Sequence, residues 1–149
     1  MTFSSLGLTA GQKFKLTTED YADVNRRKNQ TAQFGMAIDA HIKNYLQPKG
    51  IVVPDDKYAA WDFKFNGDAY DIKSYAGTTI TISPREMAFS DFEIGAGRDV
   101  VYAIFEQLAH PEFKFKGYVS CKALREHNKI RNSKFGDSFY FSLGSARFL

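Results

Sequence analysis

The chain has 149 residues, 44% of them hydrophobic and 25% charged, with a formal net charge of +3; these values suit one ordinary globular domain and permit, without demanding, nucleic-acid binding. One cysteine, Cys121, excludes an intramolecular disulfide and a cysteine-rich zinc site and fits a reducing compartment. The chain has no apolar run of ~18 residues to suggest a membrane span, and residues 1–6 lack the charged lead and apolar stretch of a signal peptide, so a cytoplasmic protein is expected.

In chain order, residues 1–16 are weakly patterned. Thr17 or Thr18 can cap a short helix reaching about Lys28, with Glu19 and Asp20 in its first turn. Residues 31–46 carry Phe34, Ile38, Ile42, Tyr45 and Leu46 at helical spacing, and Gln47-Pro48-Lys49-Gly50 stops that helix. Residues 51–53 read as a short strand. Residues 61–65 alternate apolar and polar, Asn66-Gly67 is a strong hairpin signal, and residues 69–75 form the return strand. Residues 78–83 are a third strand. Ser83, Pro84 and Glu86 then make a helix start, with Ser83 as N-cap and Glu86 completing a capping box. Gly95-Ala96-Gly97 ends that helix. Residues 100–105 are a nearly continuous apolar run, as in a strand covered on both faces. Residues 117–121 form a further strand, 122–128 a short helix and 139–143 a last strand. The order predicts a single α+β or mixed α/β domain over residues 1–149, with a central mixed sheet flanked by helices.

The hairpin fixes a register. A two-residue Asn66-Gly67 loop sets Phe65 opposite Asp68, Phe63 opposite Tyr70 and Asp62 opposite Asp71. Side chains alternate faces along a strand. Trp61, Phe63, Tyr70 and Ile72 therefore share a core face, and Asp62, Asp71 and Lys73 share the other. Carboxylates directly across a ladder are ~4.5–5.5 Å apart at Cβ and repel. A divalent cation between them removes that conflict, and Mg²⁺ favours one or two carboxylates with water and phosphate oxygens. The competing reading is a solvated acidic hairpin with exposed Lys–Asp pairs worth under ~1 kcal/mol.

Residues of about 31 to 105 resemble the PD-(D/E)XK nuclease superfamily. The resemblance lies in Asp62 at the end of one hairpin strand and Asp71-Ile72-Lys73 on the next. The preceding helix carries Gly35-Met36-Ala37-Ile38-Asp39, similar to the family's Gly-x-x-x-Glu. Trp61 stands where proline is common, and Asp39 is one methylene shorter than the usual Glu. The resemblance implies a restriction-endonuclease-like core and a Mg²⁺-dependent endonuclease, with Mn²⁺ as a substitute, acting on DNA, mainly double-stranded. Asp62, Asp71 and the Ile72 carbonyl would hold the metal, Lys73 would position the attacking water, and Asp39 would support from the helix, through water or by orienting Lys73. A homodimer would let one small core cut both strands. The size suits a phage or mobile-element enzyme.

Basic residues flank this core at about 17–30 and 122–137. Arg26, Arg27 and Lys28, then Arg85, then Lys129, Arg131 and Lys134 are candidate backbone contacts, each adding salt-dependent affinity. His41, His110 and His127 form no metal-ligand spacing, and no phosphate-binding Gly-x-x-x-x-Gly-Lys-Ser/Thr loop exists. The alternative from another class is a non-catalytic nucleic-acid-binding or protein-interaction module on the same fold.

Overall fold

In the computed structural model, which describes residues 6–56, 59–133 and 138–148, the longest helix, α1 (Gln30–Leu46), starts where Asn29 accepts the Ala32 N–H at 2.8 Å. Its buried residues, Phe34, Ala37, Ile38, Ile42 and Leu46, form one apolar stripe. The stripe lies on a five-stranded mixed sheet in the order β1 (Lys13–Lys15), β6 (Glu112–Ser120), β5 (Val100–Gln107), β3 (Asp68–Tyr75), β2 (Phe63–Phe65). Only β3 and β5 in this sheet run parallel. The domain is α+β, with three α-helices among the described residues.

The hairpin has the register its turn requires: Phe65 pairs with Asp68, Lys64 with Ala69 and Phe63 with Tyr70. Asn66 (φ 53°) and Gly67 (φ 84°) both take left-handed backbone, as a two-residue turn matching the strand twist needs. Phe63, Phe65, Tyr70 and Ile72 are buried against the α1 stripe. Trp61 departs from the expected core face: it precedes β2 and stays half-buried, with Lys64 Nζ 4.7 Å from its ring centroid. Phe65 completes the cluster instead.

Three other expectations change. Residues 17–28 form only a 3-10 turn, Thr18–Tyr21. Asp20 is drawn inward, accepting the Thr17 N–H at 2.7 Å and meeting His41 Nδ1 on α1 at 2.9 Å; such local side-chain bonds compete with helix, and a longer helix here would bury little apolar surface. Residues 51–53 contribute one bridge, Val52 to Lys64, rather than a strand. The third strand, β4 (Thr79–Ile82), leaves the hairpin's sheet. It pairs with β8 (Phe139–Ser142), which also pairs with β7 (Arg131–Asn132).

That exchange has a physical reason. β5 takes the free edge of β3 in parallel, and parallel pairing needs a long crossover. β4 and α2 (Pro84–Gly95) are that crossover. Ile80 and Ile82 turn inward with Tyr102, Ile104, Val119, Cys121 and Phe141, making a second core on the sheet face away from α1. Helix α3 (Cys121–Glu126) closes that core through Leu124. β6 starts earlier than expected because Phe113 and Phe115 alternate into the first core. No helix among the described residues is long and apolar enough to cross a membrane.

Candidate active site on the second face of the hairpin

Strand β3 lies between β2 and β5, so its side chains alternate between two covered faces. Tyr70 and Ile72 enter the first core; Asp71 and Lys73 share the opposite face with Tyr102 and Ile104 of β5. Asp62 precedes β2, and its N–H donates to the Tyr70 carbonyl at 2.8 Å. Its carboxylate turns to β3, where Oδ2 accepts the Ile72 N–H at 2.7 Å. Asp62, Asp71, Ile72 and Lys73 line one cleft of about 170 Å³ together with Arg85 and Glu86 from the start of α2.

Two lysines hold the surrounding carboxylates. Lys43 Nζ, one turn beyond Asp39 on α1, lies 2.9 Å from Asp39 Oδ2 and 3.1 Å from Asp62 Oδ1. Lys73 Nζ lies 2.5 Å from Glu86 Oε2. Glu86 therefore keeps only half of the capping box: its N–H donates to Ser83 Oγ at 3.1 Å, while its carboxylate goes to Lys73. The acid that orients Lys73 is Glu86, and Asp39 meets the site through Lys43 and Asp62.

Asp71 is different. It is 6% exposed, and among the described residues no hydrogen bond or ion pair reaches its carboxylate. Burial, and next the Asp62 charge, push its carboxyl well above the usual range; Lys73 opposes this, and Glu86 and Asp39 add to it. Burial and the Asp62 charge also push Asp39 up to about 7 against the pull of Lys43. Burial alone would lower Lys43, but Asp39 and Asp62 together hold it above its ordinary value.

Four carboxylates, Asp39, Asp62, Asp71 and Glu86, thus surround two ammonium groups. With all of them ionised, and with the Arg85 guanidinium lining the same cleft, the site keeps a net negative charge that attracts a cation. The donors are all hard oxygens, which suits Mg²⁺ or Mn²⁺. Among the described residues, no three or more His, Cys, Asp or Glu side chains stand already arranged as a ligand set. Three of the four acids are held by lysines instead: Asp39 and Asp62 by Lys43, and Glu86 by Lys73.

Of the sequence-derived site residues, Asp62, Asp71, Ile72, Lys73 and Arg85 meet at this cleft. Arg26, Arg27 and Lys28 are exposed ahead of α1, and Arg26 borders a different cleft. Arg131 lies on β7 with its guanidinium bonded to the Asn128 carbonyl, and Lys129 follows α3; neither lines the acidic cleft. Lys134 lies outside the described residues. Two residues of the site, Lys43 and Glu86, were not singled out for it from the sequence. Lys43 carried a signal, since Asp39 and Lys43 have the helical i, i+4 spacing of an ion pair. Glu86 carried none, because its link to Lys73 depends on where α2 crosses β3.

No protein-family model matches the chain, and no curated protein matches it significantly.

Proposed function

We propose that this chain is a Mg²⁺-dependent endonuclease acting on DNA, with a restriction-endonuclease-like core. The observation that carries the reading is the placement of Asp62 and Asp71 side by side in one cleft, with Asp71 buried and unpaired among the described residues. A buried carboxylate facing another without a partner is costly to ionise, and such perturbed acids in a cleft mark functional sites.

Asp62 and Asp71 would hold the metal, with the Ile72 carbonyl as a further oxygen. Bound Mg²⁺ would supply Lewis acidity toward a phosphodiester oxygen and lower the pKa of water. Asp62 is pre-oriented by the Ile72 N–H, so its second oxygen is the one free to exchange Lys43 for a cation. Lys73 shares the Asp71 face and is steered by Glu86, which places a donor beside the cleft to orient water or neutralise charge on phosphate. Arg85 at the rim is suited to a phosphate oxygen. Paired copies of the chain would present one site to each strand.

Plasmid DNA incubated with Mg²⁺ or Mn²⁺ tests this. The expected result is nicking or linearisation that EDTA, Asp71→Ala and Lys73→Ala each abolish. Cleavage that survives both substitutions would refute the assignment of the site. The lysine pairings favour a second reading, a binding module needing no metal, because Lys43 already bridges Asp39 and Asp62. Calorimetry with Mn²⁺ separates the two, since that module would show no Asp71-dependent cation binding.

A further inference from the structure

A second cleft lies apart from the acidic one. It measures about 730 Å³ and lies between the segment leading into α1, the first turns of α1 and the end of β5. This is within the range of small-ligand sites. Beside it, a Cβ on Gly35 would lie 2.9 Å from Ser74 Oγ, so glycine lets α1 sit close to the end of β3 without moving that side chain. Gln107 then reaches across, its Nε2 donating to the Thr31 carbonyl and to Ser74 Oγ, each at 3.1 Å.

The walls have a specific chemistry. Tyr21 Oη and His110 Nε2 are 2.6 Å apart, and Phe34 meets the His110 ring edge-on at 5.2 Å, which fixes an aromatic wall. Arg26 stands at the rim, 5.6 Å from the Tyr21 centroid, with Nη2 donating to the Tyr21 carbonyl. Gln30 and Gln107 add amide groups able to donate and accept. None of the lining residues is acidic, in contrast to the hairpin cleft. An aromatic face, amide edges and one cation are the complements of a base's π-surface, a base's polar edge and a phosphate.

We propose that this cleft binds a nucleoside monophosphate unit whose base is unpaired, stacked against Tyr21 and His110 with its phosphate at Arg26. The inference deepens the nucleic-acid reading and rests on it for the source of the unit, a strand running toward the acidic cleft. Asp39 lies nine residues beyond Gln30 on α1, about 13 Å of helix rise. A base held here would therefore lie against the same helix as Asp39, which meets the acidic site through Lys43 and Asp62.

The test is fluorescence anisotropy in EDTA with the full chain carrying Asp71→Asn, so that no cleavage intervenes. Three labelled duplexes are compared: fully paired, with one unpaired adenine, and with an abasic bulge. The unpaired adenine should bind about tenfold tighter than the other two, and Tyr21→Ala or His110→Ala should erase that preference, while Tyr21→Phe keeps it within about twofold. His110 is exposed, so its variant keeps the test valid should Tyr21→Ala fail to fold. Displacement by dAMP, weakened in the same variants, supports the ligand class with free nucleotide as its source. Equal binding of the three duplexes without dAMP binding overturns the proposal, as does a preference that survives His110→Ala. No preference, together with plasmid cleavage by the unsubstituted chain, refutes this cleft alone. A preference, together with no cleavage by the unsubstituted chain, refutes the acidic site alone.

Discussion

Along β3, Tyr70 and Ile72 point to one face of the sheet and Asp71 and Lys73 to the other, and both faces are covered. On the first face burial is matched by chemistry: aromatic and aliphatic side chains meet α1, and Phe63 stacks on Tyr70 at 4.8 Å. On the second face burial and chemistry conflict. Asp71 is as shielded as its neighbours, yet it is an acid beside another acid. The same backbone alternation that builds the core also sets two carboxylates together, and the difference shows where the molecule trades stability for a charged site.

Substitutions on the two faces should therefore move stability in opposite directions. The largest expected stability effect is on the first face: Ile72→Ala should cost about 2–5 kcal/mol in chemical denaturation, the range for truncating a buried aliphatic side chain. A loss well under this range would show that the α1 face is loosely packed. On the second face the largest effect is on rate. Lys73→Ala should lower metal-dependent cleavage by about 10²–10³, as for removal of a preorganised charge donor, while leaving the fold intact by circular dichroism. Glu86→Gln, which loosens Lys73 without removing it, should lower cleavage by about 10–100-fold, the scale of a positioning partner.

Asp71→Asn sharpens the contrast further. It keeps the shape but removes an acid that burial penalises for ionising, so the metal-free protein should melt a few degrees higher at neutral pH, corresponding to about 1 kcal/mol, while losing cleavage. A lower melting temperature would mean that Asp71 has a stabilising partner.

The smallest effect is the pH dependence of the metal-free protein. Asp39 is raised to about 7, and Asp71 is raised well above the ordinary range. Near neutral pH the folded state then retains protons that the unfolded chain has lost by about pH 4–5. With fewer protons bound unfolded than folded, stability falls as pH rises, so the metal-free protein should lose stability from about pH 4 to about pH 7. Saturating Mg²⁺, which binds the deprotonated acids, should flatten that slope. Thermal melts across this range with and without Mg²⁺ check both parts, and a metal-free protein that gains stability toward pH 7 would contradict the raised acids.

The second face was legible in the sequence where local rules determine geometry. Asn66-Gly67 allows one compact loop, and that loop sets the pairing of Phe63 with Tyr70 and hence the side taken by Asp71. Ser83 as a capping residue placed the start of α2 because the bond involved is short-range, and apolar spacing placed α1 to within a residue. What escaped was long-range. β4 alternates as any strand does, and nothing local shows that it pairs with β8, about sixty residues on. Glu86 reads as a capping residue until α2 is seen crossing the sheet beside Lys73. Trp61 lies beyond the last paired residues of β2, where the alternation rule no longer holds.

The central claim is that the second face is built around a cation, and isothermal titration of the metal-free protein with Mn²⁺ tests it most directly. The account predicts one Asp71-dependent site whose binding releases protons near pH 6.5, and which Asp71→Asn abolishes. Absence of any Mn²⁺ site, or binding that Asp71→Asn leaves unchanged, would contradict it.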